Sequence, residues 1–167
     1  REVVLGKIAG GLLPTLNLYL VSLPVMILPT LLGGVSLDQV VGTSILCLGT
    51  MMASAALGAT IAFWREKTFQ AIAATFLAMV LWLAWWEIVA AGWIPIIPTW
   101  AAIVGSPARA ILEVGKPIPS TLWEQVPGGI AALSSIAMFG VGGTLTAIAI
   151  LFLRVWNPSR EARPATP

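Results

Sequence analysis

The chain has 167 residues, of which 58% are hydrophobic and 10% charged, with nine basic and seven acidic side chains, one cysteine and no histidine. Set against about 25% charged residues in an average soluble domain, this excludes an ordinary water-soluble fold, and the counts exclude an intrachain disulfide, a Cys/His metal centre and a haem held by paired histidines. The net charge of +2 does not signal nucleic acid, because the basic residues never gather into a patch.

The chain opens Arg1-Glu2-Val3-Val4, and its first apolar run is too long and too often broken by proline for a signal-peptide core. It reads as a piece of a longer polypeptide. The first predicted span is 8–32, uncharged throughout. As an ideal helix it would reach about 37 Å at about 1.5 Å per residue, more than a hydrocarbon core of about 30 Å, so tilt or bending is expected. Pro14, Pro24 and Pro29 are the places to bend, since each removes a backbone donor. Asn17 is a polar residue near mid-depth, suited either to bonding a neighbouring helix or to lining a pathway.

Gly33-Gly34 stops this helix, and Ser36 with Gln39 three residues on forms a capping box for the next. The second span is 40–63. Its small residues Gly42, Gly49, Ala53, Ala56 and Thr60, at spacings of 7, 4, 3 and 4, fall on one stripe that admits another helix closely. The basic loop Trp64-Arg65-Glu66-Lys67-Thr68 follows, and then the third span, 69–91. Trp82, Trp85 and Trp86 near its far end suit a headgroup boundary. Glu87 among them is the one charge within a span, expected either to reach the headgroups or to contact the outer helices or the pathway.

Residues 92–129 carry six prolines and four charges, too apolar for a solvated linker and too broken for a span. Short interfacial or re-entrant helices are predicted there, for example over Pro107 to Val114. The fourth span is 130–153, with Gly140, Gly143 and Ala147 on one face, and residues 154–167 form a polar tail. The fold class is therefore all-α, a single transmembrane domain of four helices. Of the basic residues, Arg1, Lys7, Arg65, Lys67, Arg154, Arg160 and Arg163 fall on one side and only Arg109 and Lys116 on the other. That asymmetry predicts a multi-pass protein of the cell membrane with both chain ends cytoplasmic and the Pro-rich segment outside.

Catalysis is hard to build from these residues. The serines within spans have no imidazole to activate them, and Met26 and Met51 are poor haem ligands by themselves. Gly6-Lys7 and Gly115-Lys116 lack the glycine five residues before and the following Ser or Thr of a phosphate loop. No catalytic, metal or cofactor residue is expected on the chain.

Arg1-Glu2-Val3-Val4-Leu5-Gly6-Lys7 leading into a Pro-bearing span, then Leu23-Pro24 and Gly33-Gly34-Val35-Ser36, resembles the membrane (permease) subunit of type 2 ATP-binding-cassette exporters. The likeness continues through Gly58 and the loop Trp64 to Gln70, which looks like the link between spans four and five, and through Ser106-Pro107 with Ala110-Ile111-Leu112, where relatives carry short re-entrant helices. It implies that the chain is spans three to six of a longer permease. It also implies pairing with a second permease unit, as a homo- or heterodimer, and docking on a cytoplasmic ATPase that holds ATP and Mg. Arg1, Glu2, Lys7, Arg65, Glu66 and Lys67 would lie nearest that ATPase. The rival expectation is a non-transporting membrane anchor or assembly subunit whose small-residue stripes serve only to pack partners.

Overall fold

A computed structural model describes residues 2–64, 68–116 and 129–156. They form six helices, α1 Glu2–Leu31, α2 Leu37–Trp64, α3 Thr68–Ala90, α4 Thr99–Gly105, α5 Pro107–Val114 and α6 Gly129–Trp156. Four of them are long and apolar enough to cross a membrane, over Ile8–Leu31, Leu37–Trp64, Thr68–Ala90 and Gly129–Phe152. The protein is an all-α, multi-pass membrane protein. In hydrocarbon every backbone polar group must be satisfied within the chain, which is why long segments so poor in polar side chains resolve into helices.

Glycines and hydroxyls set the helix ends. After α1, Gly33 takes φ +78°, a conformation open to glycine at little cost. It donates to the Thr30 carbonyl at 3.1 Å while Gly34 donates to that of Pro29 at 3.1 Å. This paired closure satisfies two orphan carbonyls. Gly92, at φ +76°, closes α3 in the same way through Val89 and Ile88. The expected capping box opens α2: the Ser36 N–H donates to Gln39 Oε1 at 2.9 Å, and the Gln39 N–H to Ser36 Oγ at 3.3 Å. The helix accordingly starts at Leu37, ahead of the expected residue 40. α1 continues as helix through all three of its prolines.

The core is the pair α2 and α6, which run side by side in the same direction. Gly42 faces Ala131, Gly49 faces Met138 and Gly142 faces Ala53, a constant offset of 89 residues. Only small residues permit this approach, since a Cβ on Gly42 would stand 3.0 Å from that of Ala131 and one on Gly142 would stand 3.3 Å from the Ala53 backbone nitrogen. Between helices in lipid, where no hydrophobic force acts, such close dispersion contact supplies the attraction. Thr60 adds a bond across the pair, its hydroxyl reaching the Leu145 carbonyl at 3.3 Å.

The packing face of α6 differs from the sequence expectation. It runs through Ile130, Ala131, Ser134, Ser135, Met138, Gly142 and Ala149, all buried. Gly140 and Gly143 are exposed, with nothing within 4 Å of where a Cβ would stand, and Ala147 is exposed with them. The three share a face of α6, but it is not the face that meets α2. With residues 140, 142 and 143 all glycine, small size alone did not single out one face.

α1 packs antiparallel against α2, through Ile8 and Leu12 beside Ala55 and Ala59 and through the Tyr19 hydroxyl, which donates to the Ser44 carbonyl at 3.1 Å. α3 packs against α2 and α4. Both outer helices are thinly covered: 0% of the most apolar stretch of α1 and 6% of that of α3 is buried, against 22% in α2 and in α6. Apolar surface of that extent suits lipid or further membrane helices.

Candidate functional site: the re-entrant hairpin

α4 and α5 form a helical hairpin set into one end of the bundle, and α5 spans the Pro107–Val114 stretch expected to be helical. Its turn is built from three consecutive residues. Gly105 ends α4, Ser106 caps α5, and Pro107 occupies the first helical position, where the missing N–H costs nothing. Ser106 is 1% exposed, and its backbone N–H donates to the Ala102 carbonyl at 3.0 Å while its own carbonyl accepts from Ala110 at 3.0 Å.

The hairpin dips below the helix ends. The Trp82 indole N–H donates to the Gly105 carbonyl at 3.1 Å, and Trp82 lies eight residues before Ala90, the end of α3. At about 1.5 Å per residue that places the turn about 12 Å inside that end. On the other side, the Ser134 hydroxyl, five residues into α6, reaches the Ile103 carbonyl at 3.4 Å. Higher up, Val114 sits against Gly42 of α2, and the Gln39 carboxamide donates to the Lys116 carbonyl at 3.0 Å. α4 thus descends between α3 and α6, and α5 returns along α2 and α6.

Two tryptophans seat the turn. Trp82 and Trp86 meet edge to face, centroids 5.8 Å apart at 74°, the arrangement their ring quadrupoles favour. The Trp86 ring lies against Gly105, so that a Cβ there would fall 2.1 Å from it. The three tryptophans read together as headgroup-facing rings therefore divide. All three keep some exposed surface, but Trp82 and Trp86 also contact the hairpin at Gly105. Spacing alone does not separate them, since 82 pairs with 85 at i, i+3 as readily as with 86 at i, i+4.

Glu87 meets Arg109 of α5. Nε of Arg109 donates to Glu87 Oε1 at 2.8 Å and its NH2 to Oε2 at 2.5 Å, a two-pronged ion pair. Of the expectations for Glu87, to reach the headgroups or to contact the pathway or the helices of the 92–129 segment, the structure shows the contact with α5, while the side chain keeps 56% of its surface exposed. The hydrogen bond to Glu87 raises the guanidinium of Arg109 above its ordinary value, despite some desolvation, so Arg109 is charged at any accessible pH. On the same helix the buried Glu113 carboxylate is paired with Lys116.

The remaining candidate residues are dispersed. Gly42, Gly49 and Ala53 line the α2–α6 contact, and Gly140 and Gly143 face away from it. Asn17 is exposed near the middle of α1, and its carboxamide makes no hydrogen bond among the described residues. Glu2 and Lys7 fall within the first two turns of α1. Arg1, Arg65, Glu66 and Lys67 lie outside the described residues. A groove of about 330 Å³ runs between α1 and α2, lined by Ile8, Leu12, Thr15, Met51, Ser54 and Ala55 among others. The Thr15 and Ser54 hydroxyls are turned back onto Gly11 and Met51, so the groove offers mainly apolar contact. Within α6, Ser135 bonds back to the Ala131 carbonyl at 2.6 Å, the ordinary use of a serine in a membrane helix. Comparison with protein-family models, with curated proteins and with solved structures finds no match for this chain.

Proposed function

We propose that the chain is the transmembrane part of an ATP-binding-cassette exporter permease, moving a substrate outward with energy from ATP hydrolysed on a separate cytoplasmic subunit. The observation that carries this reading is the hairpin of α4 and α5. It stands between the third and fourth spans, with Ser106-Pro107 at its turn, where the resemblance to type 2 exporters implies short re-entrant helices. The count of basic residues supports an orientation with the hairpin outside and the chain ends in the cytoplasm. In that frame ATP and Mg bind the partner, and Arg1, Glu2, Lys7, Arg65, Glu66 and Lys67 are the residues placed to meet it.

The thin cover of α1 and α3 supports a chain that works among further helices, the second permease unit included. Asn17 adds to this, since an unpaired carboxamide at mid-depth is costly against lipid and gains from a neighbouring helix or an aqueous path. The test is to purify the full-length parent from its native membrane and to reverse the charges of Glu2 and Lys7. A co-purifying ATPase, whose association and transport-coupled hydrolysis fall at least tenfold in the reversed variant, is the expected result. If no ATPase accompanies the parent and no transport is measured, the chain is an anchor or assembly subunit instead.

A further inference from the structure

We infer that α3 is a swinging arm, pivoting where it meets α2 and latched at its other end to the re-entrant hairpin by the Glu87–Arg109 pair. The inference deepens the exporter reading, because it names the element whose displacement would open the hairpin end.

It follows from how differently α3 is held along its length. The α2–α6 pair is closed by glycines in contact with the facing helix, and the hairpin packs on it, α4 against α6 and α5 against both, with Ala102 and Ala110 fully buried. α3 belongs to this core much less. Its extensive contacts are with α2 and α4. Near its start, Ala71 is buried and Thr75 packs on Gly58 of α2. Near its finish, Val89 is fully buried, and the links to the hairpin there are the Trp82 hydrogen bond, the Trp86 ring against Gly105, and the ion pair. The stretch between these two ends is largely exposed, Phe76, Leu77 and Leu81 among it.

Charge is the reversible part of that attachment. The Glu87 and Arg109 side chains are 56% and 36% exposed, so water can replace either partner as the pair separates. The interlocked glycine contacts of α2 with α6 offer no such substitute, whereas at this end of α3 the Trp86 ring against Gly105 is the contact that must slide once the pair has parted. The pair is also two-pronged, so it fixes the orientation of α5 against α3 as well as its distance. Beyond it the chain turns through Gly92 at φ +76° into residues 93–98, which contain no helix and can follow the arm.

The experiment uses the full-length protein in its native membrane, with Cys47 replaced by alanine and a single cysteine introduced as Val89→Cys or, at the other end of the same helix, Ala71→Cys. A membrane-permeant maleimide reads exposure whichever way the protein is oriented. With the latch intact both cysteines label slowly. In Glu87→Gln or Arg109→Gln, labelling at position 89 is expected to rise at least fivefold, labelling at 71 to stay within twofold, and the exchange Glu87→Arg with Arg109→Glu to restore at least half the protection. Ala102→Cys, fully buried on α4, the hairpin helix that packs against α3, gives a second readout should Val89→Cys fail to accumulate. Unchanged labelling in both single variants overturns the latch. An equal rise at 89 and 71 also overturns it, because the whole bundle is then loosened. Labelling needs no transport, so a working latch in a protein that exports nothing would sink the exporter reading alone.

Discussion

At the scale of single residues, the hairpin turn separates two tryptophans that the sequence presents as equivalents. The Trp82 indole N–H is bonded to the Gly105 carbonyl, whereas the Trp86 indole nitrogen is buried with no partner. A made hydrogen bond is worth about 1 kcal/mol, and a buried donor left unmade carries a penalty of similar size. Trp82→Phe should therefore destabilise the protein by about 1 kcal/mol. Trp86→Phe removes a donor that was never satisfied, so its smaller ring should cost less. Thermal unfolding in one detergent ranks them, and equal losses would show that ring area outweighs the hydrogen bond. Gly105→Ala is the harsher change, since its Cβ would fall 2.1 Å from the Trp86 ring. Overpacking of this kind costs about 1–3 kcal/mol, and the double variant Gly105→Ala with Trp86→Ala should recover part of that loss.

At the scale of helices, the glycines of α6 make a matched pair of predictions. Gly142 stands against the Ala53 backbone, and Gly143 beside it has open space. Gly142→Val should part α2 from α6 and cost about 1–3 kcal/mol. Gly143→Ala gains helix propensity of up to about 1 kcal/mol where nothing obstructs it. Opposite shifts of the unfolding midpoint are expected, and a common direction would place the α2–α6 seam elsewhere. The same helix marks the limit of what the sequence discloses. Helix ends are legible because they depend on a few neighbouring residues: Gly33, the Ser36–Gln39 box, and the Ser106-Pro107 start of α5 each imposed their local geometry. The stripe on α2 was legible too, because its small residues are regularly spaced along nearly the whole helix. The face of α6 was not, since a helix apolar all round carries no contrast between core and lipid sides. The Glu87–Arg109 pair joins residues 22 apart across an intervening helix, and no local rule ties such positions together.

At the scale of the whole molecule, the described helices form a bundle with a packed centre, α2 with α6 and the hairpin, and two outer helices that are mostly uncovered. The single polar residue that makes this consequential is Asn17, exposed at the middle of α1. Its effect on stability should depend on what surrounds α1. In the chain expressed alone, lipid or detergent meets the carboxamide, so Asn17→Leu removes an unsatisfied polar group and should leave stability unchanged or raised. Among partner helices the same carboxamide gains a hydrogen bond, worth about 0.6–2 kcal/mol between membrane helices. There Asn17→Leu should weaken association by about threefold to thirtyfold, since each 1.4 kcal/mol is a factor of ten. The measurement is the unfolding midpoint of the isolated chain beside the yield of any complex recovered from its native membrane. A gain in the first with a loss in the second is expected for a helix face that partner helices cover in an assembly. If Asn17→Leu leaves the recovered complex untouched, that face of α1 looks onto lipid in the assembly as well, and any partner helix must be sought along α3, the other thinly covered helix.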